Sequence, residues 1–188
     1  MSKRRFLIDS FIALSAKKGV AAAGVDTIAA YADVSKKTIY NQFGSKEALA
    51  IEALRKFSHD LQTKWSQEWS DISDPKELLL ARFTTLETLI STQEFFGCIF
   101  LNVCKEYPDP KHELHLIAKR HKDASLEEMK KRIGNLGIFD DTVALHIELI
   151  YEGLISKLTV DQDTELIIQT KNLVLSIISL NGEIKTRN

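Results

Sequence analysis

Between Lys36 and Gln42 the chain carries two ammonium groups (Lys36, Lys37), two hydroxyls (Thr38, Tyr40) and two carboxamides (Asn41, Gln42). Two apolar residues, Ile39 and Phe43, stand four apart in the same stretch. On a helix, positions four apart share one face, so Ile39 and Phe43 point inward and the polar groups are left on the outward side. Amides can pair bidentately with adenine, ammonium groups can donate to guanine O6 and N7, and hydroxyls can reach phosphates. A short helix with that outward face suits the major groove of DNA.

The elements needed to present it are written on either side. Val25, Ile28, Ala29 and Ala32 lie at helical spacing and make one apolar face of a preceding helix. Asp33 falls where the chain must turn sharply, a place that wants a residue able to adopt positive φ. Val34 plugs the turn, Ser35 is a good N-cap for a helix over Lys36 to Phe43, and Gly44 ends it. Ahead of this pair, a helix is expected from Lys3 to Lys18, with Leu7, Ile8, Phe11, Ile12 and Leu14 inward and Gly19 as its stop.

This segment resembles the DNA-binding end of the TetR family of bacterial transcription regulators. The resemblance rests on Gly19, Ile28-Ala29, Ala32, Val34-Ser35, Thr38-Ile39-Tyr40, Phe43, Ser45-Lys46-Glu47 and Leu49. It covers about the first quarter of the chain. Asp33 and Lys37 replace two glycines common in the family, and Gly24 replaces a usual hydroxyl cap, leaving only backbone N–H groups there. Carried over, the resemblance implies that Lys36, Lys37, Asn41 and Gln42 meet base edges. It implies phosphate or sugar contacts for Thr38 and Tyr40, with Tyr40 also able to pack on a thymine methyl. Lys46, in the first turn of a fourth helix, is expected to join the free N–H groups there in holding a phosphate. Arg4 and Arg5 are expected to reach flanking phosphates or the minor groove.

Charge is distributed in keeping with this. The formal net charge is −1, yet residues 1–50 hold eight Lys and Arg against four Asp and Glu. The remaining residues hold 17 against 22. A basic head on an acidic body concentrates positive potential where phosphates would bind.

The rest of the chain reads as helix throughout, giving an all-α protein of about nine helices. A helix-turn-helix head is expected over 1–45 and a helical ligand-binding and dimerisation body over 46–188. Ser45 caps a long helix reaching about Ser70, with Leu54, Phe57, Leu61, Trp65 and Trp69 as its stripe. Asp74-Pro75-Lys76-Glu77 is a strong start signal for a helix ending near Gln93. A short helix is expected from Gly97 to Glu106. Asp109 and Pro110 open another lasting to Ile133 or Gly134, and Asp140 one to about Leu158. Asp163 starts the last, to about Leu180, with a loose polar tail after Gly182.

One head reads only a few base pairs, so specificity calls for a homodimer on a two-fold operator. The last two helices offer an interface, with Val143, Ile147, Ile150 and Leu154 in one stripe and His146, Ile150 and Gly153 in its neighbour. Leu173, Val174 and Ile177 lie on a final helix that is apolar almost all round and must therefore be buried. The resemblance implies the same four-helix bundle.

It also implies a small-molecule effector in the body. Trp65, Trp69, Phe95, Phe96, Phe100, Asn102, Tyr107 and Tyr151 are the pocket candidates, aromatic walls with few polar anchors. The segment from Gly97 to Tyr107 resembles a Gly-Cys-x-Phe-x-Asn stretch found in one subset of the family. Cys98 and Cys104, six apart, lie on different faces of one helix and read as buried inert thiols, with a redox switch as the competing role. His112 and His115 can share a face, but no third ligand has metal-site spacing. No phosphate loop, nucleophile elbow or zinc motif marks an enzyme, and no cofactor is expected. No apolar run approaches the 18 residues or more of a spanning helix. The basic-then-apolar N-terminus is read as an amphipathic helix rather than a signal peptide. With two cysteines, that places the protein in the cytoplasm.

The sequence thus points to a DNA-binding transcription regulator, a repressor released from a palindromic operator by a small, largely apolar ligand. Two alternatives stand beside it. One is a regulator of the same fold switched by cysteine oxidation or a protein partner, the other a helical ligand-binding protein that does not bind DNA.

Overall fold

The computed structural model describes residues 2–185, with side chains through Asn181. Nine α-helices occur among the described residues, and no strand. They are α1 (Lys3–Lys18), α2 (Val25–Tyr31), α3 (Lys36–Phe43), α4 (Lys46–Glu68), α5 (Pro75–Ser91), α6 (Ile99–Glu106), α7 (Glu113–Gly134), α8 (Asp141–Val160) and α9 (Thr164–Lys185).

Two compact units divide them. The first comprises residues 1–64 and 98–121, the second 65–97 and 122–188. The chain passes between units three times, inside α4, between Gly97 and Cys98, and inside α7.

In the first unit, Leu7, Phe11, Val20, Ile28, Ile39, Leu49 and Leu54 are fully buried together with Phe100, Val103 and Leu114. The three-helix head therefore does not close its core alone: α6 and the start of α7 complete it. Phe57 stacks on Phe100 at 5.9 Å between centroids, and His121 lies on Phe100's ring at 3.8 Å.

The second unit packs α9 against α5 and α8 around Leu79, Phe83, Leu86, Met129, Ile147, Leu158, Ile167 and Val174. A charged cluster runs through it. Arg82 donates to Glu148 at 2.6 Å and to Ser125 at 3.1 Å, and its guanidinium lies 3.5 Å over the Tyr151 ring. Burial disfavours ionised Glu148, but the Arg82 charge and hydrogen bond outweigh it and hold the carboxyl below its ordinary range.

Helix starts follow the sequence signals closely. Ser2, Ser35, Asp74 and Asp140 each accept a bond from a first-turn N–H. Several boundaries differ from expectation, among them the start of α6 at Ile99 rather than Gly97. Helix α7 begins at Glu113, because Asp109 caps the turn before it, through Lys111 N–H at 2.9 Å, and the His112 ring accepts from Leu114 N–H at 3.2 Å. Helix α5 ends at Ser91, with Gln93 left-handed at φ 58° and Glu94 N–H donating back to Leu89. Backbone helix continues past Gly182 to Lys185 where a loose tail was expected, and residues 186–188 lie outside the description.

Candidate nucleic-acid interface

The turn between α2 and α3 is built as its residues require. Asp33 takes φ 49°, and Val34 N–H donates back to Ala29 O at 3.0 Å. Ser35 Oγ accepts from Thr38 N–H at 3.2 Å and lies 2.9 Å from Thr38 Oγ1. That second contact turns the Thr38 hydroxyl toward the cap, and Thr38 is half-buried. Ile39 and Phe43 face the core, while Lys36, Lys37, Tyr40, Asn41 and Gln42 are exposed. Gly44 ends the helix at φ 77° with open space around its Cα, so backbone conformation rather than crowding demands glycine there.

Several of the cations have protein partners. Lys36 pairs with Asp26 in the first turn of α2, and that hydrogen bond and charge raise the lysine's pKa. Lys46 donates to Ala21 O at 2.9 Å, and burial lowers its pKa against the opposing field of Glu106. Arg4 pairs with Glu52, its Nε 2.9 Å from Oε1, and its guanidinium lies 4.3 Å over the Phe43 ring. The same group donates to the carbonyl of Gln42, one of the orphan acceptors at the end of α3. Arg4 thus ties α1 to the end of α3 and to α4. Arg5 is exposed, 3.8 Å from Asp9.

A loop that the sequence reading passed over completes the head. Glu106, the last residue of α6, accepts from Val20 N–H at 3.1 Å and Ala21 N–H at 2.5 Å. Nothing in the spacing of residues 86 apart announces such a contact. Asp26 and Glu52 were also missed, though each sits in a helix whose face and register could be read.

Candidate effector residues are dispersed. Phe100, Asn102 and Tyr107 belong to the first unit, and Trp65, Trp69, Phe95, Phe96 and Tyr151 to the second. Phe100 and Tyr151 are spent on internal packing, against His121 and Phe83 respectively, while Phe96 is exposed. A cleft of about 470 Å³ in the second unit takes Trp69 from that set, with Ile72, Leu80, Ala81 and Thr84 among its other walls. Arg132 covers the Trp69 ring at 4.1 Å.

The chain matches the family model described as bacterial regulatory proteins, tetR family, over residues 7–53. It is 26% identical to the HTH-type transcriptional regulator YjdC of Escherichia coli (strain K12), over 85% of each chain. It is 31% identical to the HTH-type transcriptional repressor DhaR of Mycobacterium sp. (strain GP1), over 55% of this chain and 51% of that one. Residues 7–53 thus carry the DNA-binding segment of the TetR family. Its fold is similar to that of SCO4454, a TetR-family transcriptional regulator from Streptomyces coelicolor (TM-score 0.87, 20% identity, 96% of each chain). It is similar also to a TetR transcriptional regulator from Legionella pneumophila (TM-score 0.81, 19% identity, 94% of this chain and 97% of that one).

The residues expected at a dimer interface separate by burial. Val143, Ile147, Leu154 and Val174 lie in the core of their own unit. His146, Gly153 and Leu173 are exposed, and Ile150 and Ile177 are half-buried. Within the single subunit α9 keeps an outward apolar face: Ile168, Leu173 and Leu180 are 47%, 50% and 63% exposed. On α8, Leu145 and Leu149 are likewise exposed. An outward apolar face therefore runs one step round each helix from the inward stripe. Neither cysteine is fully buried as expected, both Cys98 and Cys104 being partly exposed. Among the described residues no helix is long and apolar enough to cross a membrane.

Proposed function

We propose that this TetR-family transcriptional regulator is a homodimeric cytoplasmic repressor that binds a two-fold double-stranded DNA operator and leaves it on binding a small effector. DNA binding follows from the family; the finer assignments are ours. The observation that carries them is the outward face of α3, where Lys37, Tyr40, Asn41 and Gln42 are exposed over an inward Ile39 and Phe43. Those side chains supply base-edge donors and acceptors without disturbing the packing beneath. Residues 1–45 act as the DNA-binding module and 46–188 as the ligand-binding and dimerisation part.

The homodimer reading is supported by the exposed apolar face of α8 and α9. A second copy would bring two helices from each subunit together, the self-complementary arrangement that two-fold symmetry requires. Release by an effector needs differential affinity: weakening operator binding a hundredfold takes about 2.7 kcal/mol of coupling. The Trp69 cleft, lined by aliphatic and threonine side chains together with Glu68, Glu77 and Lys171, suits a largely apolar molecule that carries a polar group.

Gel retardation with DNA upstream of the protein's own gene, at two salt concentrations, tests the core of the proposal. Sequence-selective retention with a steep salt slope supports it, and retention indifferent to sequence would undercut it. Sedimentation of the free protein tests the dimer.

A further inference from the structure

A second cleft, of about 260 Å³, lies in the first unit between α4 and α7. Arg55, Ser58, His59 and Gln62 line it from α4, at the spacing of a single helix face. Ile117, Arg120 and His121 line it from α7, again on one face. Every polar side chain in this lining can donate a hydrogen bond, and none is a carboxylate.

The two guanidiniums are already aimed at one point. Arg55 and Arg120 each place an Nη2 2.7 Å from the same oxygen, Oε1 of Glu113. These two bonds are the leading cause that holds the Glu113 carboxyl below its ordinary range. Glu113 is an intramolecular carboxylate held by a fork of two arginines from different helices. Two cations against one anion leave the fork with an excess positive charge. The back of the cleft is fixed as well: His121 is only 8% exposed, stacks on Phe100 at 3.8 Å and places Nδ1 2.9 Å from Ser58 Oγ.

We propose that the cleft between α4 and α7 is a binding site for a small anionic metabolite bearing a carboxylate or phosphate group, which takes the Arg55–Arg120 fork from Glu113. Guanidinium forks match both groups in geometry. The Gln62 side chain supplies a further donor, and Ile117 offers apolar contact to the ligand's body. The site is distinct from the Trp69 cleft and from the outward face of α3. It stands whether or not the operator-release reading does, because its test contains no DNA.

The test is thermal denaturation and isothermal titration of the full-length protein with inorganic phosphate and with citrate, at constant ionic strength set by chloride. Glucose serves as the uncharged control. Saturable stabilisation by phosphate or citrate, lost in Arg120→Gln and in Arg55→Gln, is expected; which of the two binds more tightly assigns the ligand as phosphorylated or carboxylic. Both arginines are exposed, so these variants should fold, and unchanged melting without ligand confirms it. The decisive variant is Glu113→Gln. It removes the internal competitor, so anion binding should tighten roughly tenfold, the ratio of about one charge-assisted contact. Stabilisation equal in chloride alone, or persisting in both arginine variants, or weakened rather than strengthened by Glu113→Gln, would overturn the assignment.

Discussion

A Cβ built on Gly19 would lie 2.6 Å from Oε1 of Glu106. The glycine that ends α1 and the carboxylate that ends α6 are therefore fitted to each other. Gly19 also sits at φ 88°, ψ 158°, a region open essentially to glycine alone. Two independent reasons thus fix one residue, and the carboxylate clamps the next two N–H groups of the loop. Gly19→Ala should destabilise the protein by about 2–4 kcal/mol, combining backbone strain with displacement of Glu106. Glu106→Gln, which keeps size but loses charge, should cost about 1–2 kcal/mol. Urea denaturation measures both, and a neutral Gly19→Ala would show the clamp to be dispensable.

Asp26 holds one of the cations expected on DNA. Asp26→Asn should release Lys36, strengthen binding to any duplex and steepen the slope of log affinity against log salt by about 0.9. The same change removes a favourable charge from the first turn of α2, costing the free protein about 0.3–1 kcal/mol. Fluorescence anisotropy at several salt concentrations reads the slope, and an unchanged value would mean that Lys36 does not reach phosphate.

Asn41 and Lys46 should part company in operator variants. Asn41→Ala is expected to relax preference at one base position, by about 1–3 kcal/mol of discrimination, with little change elsewhere. Lys46→Ala is expected to weaken all sequences alike, since its only readable partner would be phosphate. Lys46 must first leave Ala21 O, so its variant should also loosen the loop that Glu106 clamps. A panel of single-base operator changes distinguishes the two, and equal effects across the panel would refute the roles.

Leu149 and Ile147, two apart on α8, should respond oppositely. Leu149 is 59% exposed and Ile147 is fully buried. Leu149→Glu is expected to leave the subunit folded but monomeric in sedimentation experiments. Ile147→Ala should cost about 2–5 kcal/mol of fold stability. A Leu149→Glu protein that remains dimeric would move the interface off this face.

Acid should release the buried pair in the second unit. Glu148 has a folded pKa depressed by Arg82, so its contribution is present above the ordinary glutamate range and is lost as pH falls through the lower, folded value. Glu148→Ala would leave Arg82 buried without its partner, costing about 3–5 kcal/mol near neutrality. That penalty should shrink in acid as wild type loses the same interaction. Thermal melts across pH 3–7 follow it, and a pH-independent difference would count against the pair.

The head was legible because its determinants are local: cap, turn, inward pair and stop lie within a few residues of one another. The outward face of α3 could be read from Ile39 and Phe43 alone. The body's helices were legible for the same reason, down to the Asp74-Pro75 start. What depended on distant packing was not. Period alone gave Val143, Ile147 and Leu154 as an apolar stripe, but not whether that stripe met its own subunit or another. The pocket candidates were hard to single out for a related reason, since aromatic side chains serve a core as readily as a cavity. Arg4 looked free for DNA because Glu52 and the Gln42 carbonyl lie far along the chain.

Only two of the eight residues of α3 are committed to the interior. Of the other six, Thr38 is half-buried against the Ser35 cap. The five exposed side chains can be exchanged with little penalty to the scaffold, so which genes such a regulator governs is open to rapid revision by mutation. Its recognition can drift between lineages while the framework that carries it stays in place.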